Sequence, residues 1–189
     1  MPVTSNDVAN QAILMIGGNQ PLVTGLAPTF DNSTTGKALQ KLYVPCVQTV
    51  GRQFGWDMAR RLIALTLSGN PANVLWQFEY LYPANGVQIW QLVPPVISDP
   101  NNPLPTTYSV GNTLVGGVQT KVIWSNLQGA LANYNNNPTE NVWDPGFREA
   151  VVRLLASELA MAIAGKPDVS QGYLSSGGAF EKIAESRDS

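Results

Sequence analysis

The stretch from Asp144 to Ala164 constrains this chain most, because both of its ends are marked and its middle is apolar on most sides. Asp144 can accept from the exposed backbone N–H groups of a helix start, Pro145 fits a first helical turn, and Gly165 with Pro167 can stop the helix. Phe147, Ala150, Val151, Leu154, Leu155, Met161 and Ala162 fall on one face at helical spacing, and Val152, Leu159 and Ile163 widen it. Glu149, Arg153, Ser157 and the small residues Ala156, Ala160 and Ala164 are left facing away, where a second helix could approach closely. The spacing predicts a helix at the centre of the core.

A chain of 189 residues can bury a full core and suits one domain, or one domain with an insertion. Only 13% of its residues are charged, against a usual ~25%, so Asn, Gln and Thr must supply much of the surface. Eleven basic and thirteen acidic residues give a formal net charge of −2 without a run of Lys or Arg, which does not suit a protein built to grip nucleic acid. The first basic residue is Lys37 and no apolar run is long enough to span a bilayer, so a soluble protein made in the cytoplasm is expected. The single cysteine, Cys46, excludes an internal disulfide framework and reads as a small buried apolar residue.

Two further helices are marked near the start. Thr4 with Asp7 resembles a capping box before the stripe Val8, Ala9, Ala12, Ile13 and Ile16, which Gly17-Gly18 ends. After an irregular link, Asp31-Asn32-Ser33-Thr34 opens a helix with the stripe Ala38, Leu39, Leu42, Tyr43, Cys46, Val47 and Val50, kinked at Pro45. From Phe54 the period changes. Trp76, Phe78, Tyr80 and Tyr82 alternate with Gln77 and Glu79, and Val87 and Ile89 with Gln88 and Trp90, with Tyr82 to Gly86 as the turn between two strands. Five of the 14 prolines fall between Pro94 and Pro105, which reads as a loop or arm. Shorter strands are expected over 107–110, 118–125 and 130–134, with Gly111-Asn112, Gly116-Gly117 and residues 126–129 as turns. Beyond the central helix, 169–174 and 179–185 could be helical, but Gly172 and the 175–178 run interrupt them and predict a tail poorly ordered when free.

The chain lacks histidine, so Ser-His-Asp and Cys-His arrangements and the common zinc sites are absent, and no cofactor is implied. Residues 33–38 resemble a phosphate loop, but Asp31 stands where its first glycine belongs and Ala38 where the magnesium-binding hydroxyl belongs. Spacing from Phe147 places Glu158 within the apolar stripe, as a buried carboxylate needing a cation from Arg52, Arg60 or Arg61. Arg153, four residues after Glu149, makes a simple exposed helical pair. The five tryptophans fill a core or an interface better than a ligand-stacking surface. An enzyme would need a carboxylate pair in a cleft, with Glu158 or Glu79 as candidates, and a DNA-binding regulator a basic helix, for which 52–61 offers only three arginines.

Four stretches carry a likeness to a known family. They are Ala9 to Gly17 followed by Pro21-Leu22-Val23; Phe54-Gly55-Trp56-Asp57-Met58-Ala59; Trp143 to Phe147 leading into Leu154 to Ala160; and, more weakly, Trp76 to Pro83. Their order and spacing resemble the head-to-tail adaptor (connector) proteins of tailed bacteriophages, in particular the tail tubular A proteins of short-tailed phages; connectors of long-tailed phages are an alternative. Met58 departs from the aromatic usual there, and Gly177-Gly178 interrupts what is a longer charged helix in similar proteins. The resemblance implies a virion protein made in the host bacterial cytoplasm, a homo-oligomeric ring, typically of twelve copies, under the portal protein. Its helices would line a passage for double-stranded DNA that is not specifically bound, and its β part would support tail fibres and the nozzle or tail tube. The expected fold class is α+β: an antiparallel helical bundle, residues 1–65 and 140–168, with an inserted antiparallel β domain, 66–139, and a flexible C-terminal docking arm, 169–189. Tyr173, Leu174, Phe180 and Ile183 would be that arm's apolar anchors on the portal.

Overall fold

Capping decides where the helices begin. In a computed structural model, which describes residues 3–17, 21–53, 56–71, 74–95 and 106–164, helix α1 spans Ser5–Ile16 and starts in a complete capping box. The Thr4 hydroxyl accepts from the Asp7 N–H, and the Asp7 carboxylate accepts from the Thr4 N–H at 2.9 Å. Val8, Ala9, Ala12, Ile13 and Ile16 are buried, as the stripe predicts. Helix α2, Thr34–Gln53, starts where the Ser33 hydroxyl accepts from the Gly36 N–H at 2.9 Å, and it buries Leu39, Tyr43, Cys46, Val47 and Val50. Pro45 lies within α2 on its exposed side, where the Lys41 carbonyl that it deprives of a donor can reach water.

Helix α3, Pro145–Leu159, begins with Pro145 in its first turn and the Asp144 carboxylate accepting from the Phe147 N–H at 2.8 Å. It packs against both α1 and α2, with Phe147, Val151, Val152, Leu155, Ala156 and Leu159 buried. Ala156 and Ala160 are therefore inside rather than facing away. Met161 and Ala162, expected on the buried face, are exposed. The reason is a π-helical turn over Ala160–Ala164, whose wider winding rotates these residues off the α-helical stripe.

Two tryptophans lock the N-terminal end of α3. Trp56 and Trp143 each meet Phe147 edge to face, at centroid distances of 5.2 Å and 4.9 Å. Their ring nitrogens donate to the Val50 and Pro138 carbonyls, both at 3.0 Å. Tyr43 of α2 donates its hydroxyl to Glu140 at 2.9 Å, and Arg148 of α3 donates to the Gln11 side chain of α1 at 2.8 Å.

Contacts divide the chain into two units, one of Met1–Met58 with residues from Pro138 onward, the other Ala59–Asn137. Both helices and antiparallel sheets are present, and the class is α+β. The boundary falls near residue 59 rather than 65, because Arg60–Ala64 form strand β3, a strand the sequence pattern does not show. All five of its residues are exposed, so the alternation that marks a half-buried strand is missing. The first unit also holds a two-residue hairpin, β1 Gly25–Leu26 with β2 Thr29–Phe30.

The β unit contains β4 Phe78–Leu81, β5 Gly86–Val93, β6 Tyr108–Val115, β7 Val118–Ser125 and β8 Leu131–Asn136. They form two antiparallel three-stranded sheets, β3-β8-β5 and β4-β7-β6. Residues 83–86 do turn the chain, with the Gly86 N–H donating to the Pro83 carbonyl at 2.9 Å, but β4 and β5 join different sheets and do not pair. Gly111-Asn112 is not a turn; it lies inside β6, where a Cβ on Gly111 would strike the Trp124 ring. The true hairpin turn is Gly116-Gly117, with φ of 57° and 82°, the two positive values a tight β-hairpin demands.

The two sheets share one core of Tyr80, Ile89, Leu92, Ile123, Ala130, Ala132 and Tyr134. Two seams stitch them into a barrel-like ring. Beyond β3, Leu65 still pairs with Ala130, and residues 66–68 cross to β4 through the Leu81 N–H to Thr66 and Ser68 N–H to Glu79 bonds and the Leu67–Tyr80 bridge. On the other side Thr106 bridges Leu92 between β5 and β6. Closure of this kind leaves few unpaired edges. Residues 96–105, most of the proline-rich segment, lie outside the described residues.

Truncating Phe147 removes a fully buried ring held by two others. Phe147→Ala is expected to cost about 3–5 kcal/mol and Asp144→Ala, which removes only a cap, about 1 kcal/mol, read from urea unfolding midpoints at unchanged slope.

Candidate functional site

The charged residues that the sequence brings forward do not form a site. Glu158 is exposed, and Arg52, Arg60 and Arg61 are exposed too, so the expected buried charge with its arginine partner is corrected. At roughly 100° per residue Glu158 lies only about 20° from Phe147, but the centre of the buried stripe is at Leu155 and Leu159, and Phe147 sits at its margin. A residue at that margin near the helix end reaches water. Arg153 and Glu149 do pair along α3, at 2.8 Å and partly exposed.

The stretch resembling a phosphate loop is a helix start whose polar groups are already engaged. The Asp31 carboxylate accepts from the Thr24 N–H at 2.6 Å and the Ser33 N–H at 3.0 Å, and the Ser33 hydroxyl donates to it as well. The Ser33 hydroxyl bond, then those from the backbone of Thr24 and Ser33, hold its pKa down to about 2. A Cβ on Gly36 would overlap the Asp31 carbonyl, so this turn is closed against its own loop and offers no cradle for phosphate.

Glu79, on β4, is buried and lies among neutral donors. One carboxylate oxygen accepts from the Ser68 hydroxyl at 2.7 Å and the Asn70 amide at 3.0 Å, the other from the Trp124 indole at 2.7 Å. Its role is to tie chain segments together, with no second carboxylate in the network. The buried Cys46 thiol is pushed up to about 12, by burial first and by the nearby Glu158 charge second. Among the described residues no group of three or more Cys, Asp and Glu side chains could hold a metal ion, and no helix is long and apolar enough to cross a membrane.

What the surface does offer is apolar side chains on prepared backbone. In the helical unit, residues 23–27 of the link after α1, which the pattern leaves irregular, are laid along that helix. Asn6 and Asn10, one turn apart on α1, donate their amides to the Val23 carbonyl at 3.0 and 3.1 Å; Asn6 also reaches the Gly25 carbonyl, and Asn10 accepts from the Val23 N–H at 2.8 Å. Ser5 accepts from the Ala27 N–H. Val23 thereby points inward and is buried, while Leu22 and Leu26 are each 55% exposed and Leu14, one turn beyond Asn10, is 69% exposed. The i, i+4 asparagine pair at the rim of the apolar stripe is the signal that could have found this segment. In the β unit Leu62 and Ile63 of β3 and Val74 beyond it are exposed. Tyr173, Leu174, Phe180 and Ile183 lie outside the described residues.

No protein-family model matches the chain, and no curated protein matches it.

Two measurements check these placements. Glu158→Gln is expected to change stability by less than about 0.5 kcal/mol, as for an ordinary surface position, where a buried charge would cost several times that. Cys46 is expected to resist iodoacetamide at pH 8 in the native protein and to react readily in urea, since a thiol with a pKa near 12 carries almost no thiolate at that pH.

Proposed function

We propose that this chain is a structural virion protein, a head-to-tail adaptor that assembles as a ring between the portal and the tail of a bacteriophage. The observation that carries the reading is the order of its parts. Two helices, a β unit over 59–137 and a third helix that packs on the first two follow one another as in the adaptors the sequence resembles. In this reading the helical unit is an antiparallel bundle into which the β domain is inserted, and residues 169–189 are the arm that docks on the portal through Tyr173, Leu174, Phe180 and Ile183.

Three physical features support it. Only 13% of the residues are charged, which suits a subunit whose flanks are covered by its copies, since burying unpaired charge at an interface is costly. Leu14, Leu22 and Leu26 present apolar area on a backbone held by hydrogen bonds, so little ordering cost would accompany their burial. A net charge of −2, repeated around a ring of about twelve copies, would let DNA slide through a central passage without holding it. The helices would line that passage, and the β domain would face outward to tail fibres and to the nozzle or tail tube. No cofactor and no catalytic step belong to this function.

Electron microscopy of the purified protein, alone and mixed with its portal, tests the reading. Rings added to one end of the portal are expected, and a chain that stays monomeric and never adds to a portal would overturn it. Truncation before Gln171 is expected to abolish portal binding while the thermal unfolding of the remainder is retained; unchanged binding would remove the arm from the proposal.

A further inference from the structure

Among the described residues Glu79 is the one buried carboxylate, and its position on the barrel is particular. It lies on β4 beside the seam where residues 66–68 cross from one sheet to the other. The backbone closes that seam with two hydrogen bonds, Leu81 N–H to Thr66 at 2.8 Å and Ser68 N–H to the Glu79 carbonyl at 2.9 Å. Most of the side-chain bonds that fasten it run through one carboxylate. The Glu79 carboxylate takes the Ser68 hydroxyl and the Asn70 amide from the crossing segment and the Trp124 indole from β7. Ser68 in turn accepts from the Asn70 N–H, and the Asn70 amide also donates to the Leu114 carbonyl of β6. Segment, β4 and β7 thus meet at a single charge, and Asn70 links it onward to β6.

Among the described residues no cation takes part. Residues 66–70 contain no ionisable group, β6 contains only Tyr108, whose hydroxyl donates to the Ile89 carbonyl, and β4 contains no other charge. On β7 the one charged residue, Lys121, is three positions from Trp124 and so on the other face of the strand, over the Tyr82 ring at 3.6 Å from its centroid. Among the described residues the donors that hold this charge are all neutral. A carboxylate can accept from all three, whereas a protonated carboxyl turns one oxygen into a donor with little accepting capacity, so at least one of the three bonds is weakened.

We propose that Glu79 is an acid-operated clasp: ionised, it fastens residues 66–70 across the seam, and on taking a proton from solvent it releases them and frees the edge of β4. Burial acts to raise the carboxyl pKa, but the hydrogen bonds from Ser68, Trp124 and Asn70 together outweigh it and hold the group below its ordinary value. A carboxyl lowered in the folded state contributes stability that is complete above the ordinary glutamate range and lost as pH falls through the folded value. The clasp is therefore closed at neutral pH and opens in acid, below the range in which exposed glutamates titrate.

Amide hydrogen exchange of the full chain between pH 3 and 7, corrected for intrinsic rates, tests this at the Ser68 and Leu81 N–H groups, with Ile123 of the central strand as reference. Ser68 and Leu81 are expected to lose protection by about tenfold or more in acid, at a pH where Ile123 keeps its own, because each hydrogen bond to a charged group is worth at least such a factor. Ser68→Ala, which removes one donor to the ionised form, is expected to move the opening to higher pH, and Glu79→Gln to leave the seam open at pH 7 with no further pH dependence. Loss of protection at Ser68 and Leu81 only together with Ile123, or an opening pH unmoved by Ser68→Ala, would overturn the clasp. Should Glu79→Gln fail to fold, the Ser68→Ala shift decides the matter by itself.

Discussion

Phe147 sits between two tryptophans that arrive from opposite directions of the chain, Trp56 just before the β unit and Trp143 just after it. Edge-to-face contacts of this kind add to the area that aromatic rings bury, and each indole N–H is also anchored to a backbone carbonyl of its own segment. One residue upstream of Pro145, Asp144 caps the same helix, and its N–H lies 3.1 Å from the Met58 sulfur. The start of α3 is thereby fixed in place and direction at once. The contacts that α3 makes with α1 and α2 further along depend on that beginning, since a helix registered at one end carries its whole apolar stripe into register.

Uncharged polar side chains do much of the work that ion pairs do in more highly charged proteins. Asn6, Asn10 and Ser5 hold the segment after α1, Gln40 donates to the Phe30 carbonyl, and Ser33 with Asp31 closes the start of α2. In the β unit Tyr80, Tyr108 and Ser125 each donate a hydroxyl to a backbone carbonyl, and Asn70 spans Glu79 and Leu114. Such bonds are directional and less sensitive to salt than exposed ion pairs. The low charge and the abundance of amides are two sides of one design.

Features that rest on neighbours in sequence were legible before the structure. The capping box at Thr4 and Asp7, the Asp144-Pro145 start and the Gly116-Gly117 turn are each decided within four residues, by groups whose hydrogen-bonding needs are local. Partner choice among strands was not legible. Tyr82 to Gly86 turns the chain as its residues suggest, yet the strands on either side go to different sheets, because their partners β7 and β8 come some forty residues later. Gly111 misleads for a related reason: it is a glycine because a tryptophan across the strand covers it, a requirement set by Trp124 and invisible at its own position. Glu158 falls within the stripe only when the phase is taken from Phe147, which marks the margin of the buried face, whereas the phase of a helix is set by its middle. The Glu79 network escaped because its members, Ser68, Asn70 and Trp124, come together only after the seam has formed.

The pairing of Arg60 with Asn135 means that the β unit returns the chain to within one strand spacing of where it took it up. Were that stretch unfolded, bringing α3 back to α1 and α2 would require closing a long loop, at an entropic cost on the order of 4 kcal/mol for a flexible chain of this length. Once β3 and β8 are zipped, almost none of that cost remains. The paired strands thus act as a clip that shortens the effective chain of the helical unit, and helices far apart in sequence are joined as though by a few residues.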